Sequence, residues 1–255
     1  MKKIVYYSPT LSNEQIIEKM KKVLPFRFKP LSTEIIKRTR ELENIDGRVA
    51  YIWGDGRYHH ESYFFTKNKV KIKINYDYHC DFDGSATYVD YFNHMYYTQK
   101  DSTKIILPRG IELLKDKNEI SKKFEEYINE IKIETKQFGK NSIALTIDCD
   151  AFRNFPAVPY WVHENASEPA LLINLIKTIR EKIALLDIGG LAPKIKDFKF
   201  MKDFSLDEIP QKNDTKIFLG EYDYLNKKFD KKIINRVGNY AIKIYIEVLS
   251  AFFFD

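Results

Sequence analysis

Two rhythms of apolar and polar positions run along this chain. Short runs rich in β-branched and aromatic residues read as strands: KKIVYY (2–7), RVAYIW (48–53), VKIKINY (70–76), SIALTID (142–148), KIALLDI (182–188) and TKIFLGEY (215–222). Segments 13–24, 33–42, 120–134, 168–182 and 231–253 instead carry apolar residues at helical spacing. Ser12 or Asn13 can cap the first of these helices, and Ser167-Glu168-Pro169 supplies a cap and an early proline to the fourth. Strands alternating with helices predict a three-layer α/β/α sandwich around a mainly parallel sheet. No repeat, low-complexity tract or composition break divides the chain, so a single domain over 1–255 is expected. In open parallel sheets ligands bind beyond the carboxyl ends of the strands, and the chemistry is sought there.

Composition narrows the class. With 44% hydrophobic and 15% aromatic residues the chain can build a core and is no disordered tract. The opening MKKIVYYSPT has too short an apolar run for a signal peptide, and the apolar run 244–254 is too short to span a bilayer. A cytoplasmic protein with no membrane partner is therefore expected. Two cysteines, Cys80 and Cys149, make no disulfide framework and are expected as reduced core thiols. The net charge of +6 hints at nucleic acid, but the lysines are interspersed with glutamates and form no aromatic-laced patch, so no nucleic-acid partner is expected. Nothing in the pattern requires or excludes a homo-oligomer.

The candidate chemistry lies at two strand ends. After VKIKINY comes Asp77-Tyr78-His79-Cys80-Asp81, in which strand alternation sends Asp77, His79 and Asp81 to one side and Tyr78 and Cys80 to the other. In a fully extended chain Asp77 and Asp81 would stand about 13 Å apart, so the chain must curl inward after His79 if they share a site; Asp83-Gly84 supplies a turn. A second strand, Ser142 to Ile147, is almost wholly apolar and ends in Asp148-Cys149-Asp150. Carboxylates closing two buried strands are costly unless a cation neutralises them. Either aspartate taken alone could be only a turn residue or helix cap. The donor set is rich in oxygen with a few imidazoles, which suits Mn²⁺ better than thiolate-bound zinc.

D-x-H-x-D after one strand, followed by apolar-I-D-x-D-x-F after a later one, resembles the two main ligand motifs of the arginase and ureohydrolase superfamily, in the same order. The stretch Trp53-Gly54-Asp55-Gly56-Arg57-Tyr58-His59-His60-Glu61 is similar, with an insertion, to the family's upstream Gly-Gly-Asp-His motif. The resemblance implies two Mn²⁺ ions, one held by His60, Asp77, Asp81 and Asp148 and the other by Asp77, His79, Asp148 and Asp150, with His59 as the alternative to His60. It also implies attack of metal-activated water on a planar carbon, with His94 as proton shuttle to the leaving amine. His94 could equally be a structural histidine among aromatics.

Substrate residues are less sharply marked. By order of elements, the family's guanidinium-binding carboxylate falls at Gly190. By local wording it falls at Glu221 in Phe218-Leu219-Gly220-Glu221-Tyr222. The span between the two ligand motifs is shorter than in arginases that act on free arginine. In this the chain resembles the small peptide arginases, which convert arginine within peptides to ornithine. The expected substrate is thus an arginine-containing peptide. The loop from Arg153 to Asn165, with Trp161, His163 and Glu164, is the expected substrate wall; Tyr58, Tyr63, Tyr88, Tyr91, Phe155, Tyr160 and Trp161 could form an aromatic lip, and most of them could equally be core. The competing readings are a single-zinc amide hydrolase of the deacetylase branch and a non-catalytic metal-binding relative.

Overall fold

The structure, a computed structural model, describes residues 2–7, 20–29, 31–36, 48–53, 70–78, 104–106, 108, 110, 111, 113–153, 155, 166–189 and 231–254. The β-branched runs form strands β1 (Lys2–Tyr7), β2 (Ser32–Ile36), β3 (Arg48–Trp53), β4 (Ile72–Tyr76), β5 (Lys104–Ile106), β6 (Ile143–Asp148) and β7 (Ile183–Gly189). They make one seven-stranded sheet in the order β2-β1-β3-β7-β6-β4-β5, every pair parallel. The helices described in full are α1 (Lys117–Thr135), α2 (Pro169–Ile179) and α3 (Lys231–Phe253).

Most of the expected elements appear with boundaries shifted by a few residues. One does not: 33–42 was expected as a helix, but Ser32–Ile36 is a strand. Leu31, Ile35 and Ile36 fit a helical stripe, yet Thr33, Ile35 and Ile36 are β-branched, and pairing with β1 from Lys3↔Ser32 to Tyr7↔Ile36 decides the conformation. β5 is only three residues long and left no readable pattern. The expected strand over 215–222 lies outside the described residues.

Register sorts the sheet into two chemically different faces, because paired residues of parallel strands point the same way. One face is apolar: Tyr6, Ile52, Ile188, Ile147 and Tyr76 lie side by side along it and belong to the main core together with residues of all three helices, such as Phe124, Leu175 and Tyr245. The other face carries Lys73, Asn75, Thr146, Asp148 and Asp187, all buried. The C-terminal helix α3 locks onto the sheet from its far end. Backbone carbonyls of its final turn and the following residue accept from Lys2 Nζ (Phe253, 2.6 Å), Arg48 (Phe252) and Arg180 (Phe254). Cations at a helix C-terminus complement both its orphan carbonyls and its dipole.

Candidate metal centre

The site is built where two neighbouring interior strands stop. β4 and β6 are neighbours in register up to Tyr76↔Ile147, so the next residues, Asp77 and Asp148, end adjacent strands that lie about 4.8 Å apart. Both are buried, at 1% and 7% exposure. The backbone bends at Tyr78, whose ring joins the apolar core, so the alternation expected from D-x-H-x-D holds for its first two residues. Cys149 is a core thiol, as its place between the two aspartates implied.

Beneath Asp77 runs a polar chain. Asn75 Nδ2 donates to Asp77 Oδ2 at 3.3 Å, and Thr146 Oγ1 donates to Asn75 Oδ1 at 3.0 Å. One strand further on, Asp187 of β7 stands in register with Thr146 and is fully buried. Asn75, Thr146 and Asp187 belong to none of the sequence motifs; their signal is a polar residue inside a largely apolar strand, two positions before Asp77, Asp148 and Gly189 respectively.

A second chain fixes the turn after β6. Residues Cys149–Ala151 form a 3₁₀ turn, and the Ala151 carbonyl accepts from both the Ser167 backbone N–H (3.0 Å) and the Ser167 hydroxyl (2.8 Å). With its one proton so used, the Ser167 hydroxyl accepts from the Tyr76 phenol at 2.7 Å. Burial pushes the Tyr76 phenol well above its ordinary range. Tyr76 precedes Asp77 and Ala151 follows Asp150, so one hydroxyl ties the two aspartate-bearing strand ends together. Ser167 was expected to help cap the fourth helix. The N-cap of α2 is Glu168, without a side-chain capping bond, and the Ser167 hydroxyl does this other work.

The donor chemistry fits hard divalent cations. Among the described residues the polar face holds three buried carboxylates, Asp77, Asp148 and Asp187, against one buried ammonium, Lys73. That excess of negative charge in a buried place calls for a cation. No three His, Cys, Asp or Glu side chains among the described residues converge into a complete site. His59, His60, His79, Asp81 and the side chain of Asp150 lie outside the described residues, as do His94, Trp161, His163, Glu164, Gly190 and Glu221. Arg153 is described. It pairs with Glu168 at 3.1 Å, its backbone N–H reaches the Ser167 carbonyl at 2.8 Å, and its carbonyl accepts from Tyr240 Oη at 3.3 Å. Phe155 is core and not lip: it is fully buried and stacks on Tyr245 at 6.3 Å.

No protein-family model matches the chain, and no curated relative matches it. Solved structures do. A putative agmatinase from Clostridium difficile superposes with a TM-score of 0.56 at 14% identity, covering 98% of this chain and 96% of that one. Arginase from Bacillus subtilis gives 0.54 at 10% identity, covering 98% of both chains. Proclavaminate amidino hydrolase from Streptomyces clavuligerus gives 0.54 at 10%, covering 98% and 91%. The fold is the arginase fold. At these identities the likeness speaks for architecture, and it agrees with the α/β sandwich that the hydrophobic pattern implied.

Proposed function

We propose that this chain is a metal-dependent amidinohydrolase of the ureohydrolase type, acting on the guanidinium of arginine within a peptide. The observation that carries the reading is the pair Asp77 and Asp148, two buried carboxylates at the ends of adjacent interior strands of a sheet built like those of arginase and agmatinase. Two Mn²⁺ ions would be held by His60, Asp77, His79, Asp81, Asp148 and Asp150, with Asp77 and Asp148 shared between them. When bound, the ions supply a water acidic enough to attack at neutral pH.

The chain's own groups would do the rest. Asp77 and Asp148 set the position of the site by ending rigid strands. The Ser167 clamp on Ala151 holds the turn that carries Asp150. His94 would deliver a proton to the departing nitrogen as the bond between it and the guanidinium carbon breaks, giving ornithine and urea. Glu221 would hold the guanidinium, since the strand after α2 ends in Gly189 and its successor Gly190 bears no carboxylate. Arg153, Trp161, His163 and Glu164 would face the peptide. Incubating the Mn²⁺-loaded protein with arginine-containing peptides and with free arginine tests this. Urea release with the mass loss of arginine to ornithine in a peptide is expected. Turnover confined to free guanidino compounds contradicts the peptide assignment, and absence of urea from every guanidino substrate contradicts the reaction.

A further inference from the structure

We infer that Asn75 and Thr146 are positioning residues that orient the Asp77 carboxylate for metal binding. The inference rests on the metal-dependent reading above and adds two residues to it.

Asn75 sits on a strand paired on both sides, at 1% exposure, and the strand's other members are mostly Ile and Tyr. Asparagine is poorly suited to a buried strand, and its amide is costly to bury unless each end is hydrogen-bonded. Here both ends are used. The amide nitrogen donates to Asp77 Oδ2 at 3.3 Å, and the amide oxygen accepts from Thr146 Oγ1 at 3.0 Å. Thr146 is the register partner of Asn75 on β6, the strand that ends in Asp148. Two residues before each of the paired aspartates, the two strands thus place groups that bond to one another.

The direction of this chain follows from its chemistry. A carboxylate accepts from an amide N–H and repels an amide oxygen, so Asp77 selects the orientation in which Asn75 Nδ2 faces it. That orientation turns Asn75 Oδ1 toward β6, where only a donor can satisfy it. Thr146 supplies the donor through a hydroxyl that also lies 3.3 Å from the Ile74 carbonyl. Valine at position 146 would keep the shape and lose the proton. The backbone at Asn75 is held separately, since its carbonyl accepts from Tyr127 Oη at 2.5 Å. With backbone fixed from α1 and side chain fixed from β6, the plane of the Asp77 carboxylate is set before any cation arrives. A carboxylate that bridges two ions is especially sensitive to that plane, and partners of ligands commonly govern metal affinity.

The test is Mn²⁺ titration calorimetry on the purified full chain, comparing wild type, Thr146→Val and Thr146→Ser, with circular dichroism to establish folding. Thr146→Val should weaken Mn²⁺ binding about 10- to 100-fold, and Thr146→Ser should restore it. The rise in Tm on adding Mn²⁺ should shrink in the valine variant and return in the serine variant. If the valine variant does not fold, Thr146→Ala, which cannot overpack, takes its place with the same expectation. A folded Thr146→Val or Thr146→Ala protein that binds Mn²⁺ as tightly as wild type overturns the inference and leaves the metal reading intact. A wild-type chain that takes up no Mn²⁺ overturns both.

Discussion

Asp77 and Asp148 could be singled out from the sequence because each closes an apolar strand, and the structure places them side by side. The residues that support them were harder to see. Asn75, Thr146 and Asp187 each read as an unremarked polar residue, and Ser167 as part of a helix cap, until the fold shows which neighbours they meet. Tyr76 is the sharpest case, since its hydroxyl reaches Ser167, ninety-one positions away. Replacing Tyr76 by Phe removes that donor and should cost about 1 kcal/mol in urea unfolding at neutral pH. The sign of its pH dependence also follows. Burial raises the folded phenol, so the stability Tyr76 contributes is whole below the unfolded value of about 10 and is lost as pH climbs past it. The Tyr76→Phe deficit should therefore narrow above about pH 10, and a deficit that stays constant would contradict the assignment.

Elements were legible where local pattern and tertiary pairing agree. The apolar run of β6 and the long helical stripe of α3 are of this kind, and both appear where the pattern put them. The segment at Ser32–Ile36 is the opposite case, because its apolar spacing suits a helix while its partner strand imposes extension. Helix ends depend on single side chains. Asp116 caps α1 through bonds to the backbone of Asn118 (2.8 Å) and Glu119 (3.1 Å). Asp116→Ala should lower stability by about 1 kcal/mol without touching the metal site, measured by thermal unfolding of the metal-free protein. The far end of α3 is more demanding, since Phe252 is fully buried beneath the cations that hold the helix carbonyls. Phe252→Ala should cost about 3–5 kcal/mol, and a loss below 1 would show that the helix end is not part of the core.

At the scale of the whole molecule, the sheet separates two tasks. One face, packed against α1, α2 and α3, stabilises the fold through apolar burial, while the other keeps carboxylates, an amide and a hydroxyl out of water in mutual register. No helix among the described residues is long and apolar enough to cross a membrane. The positive net charge, read from composition alone, is no guide to this negatively charged inner face. The sequence motifs and the fold agree on the arginase architecture, whereas the segments proposed to choose the substrate, around His94, Trp161 and Glu221, lie outside the described residues. The proposed sharing of two metal ions by Asp77 and Asp148 is read out by elemental analysis of the Mn²⁺-reconstituted, gel-filtered chain beside its Asp148→Asn variant. Two manganese ions per wild-type chain, lost from a folded Asp148→Asn protein, is the predicted result. Equal metal content in the two proteins, or a single ion in the wild type, would contradict it.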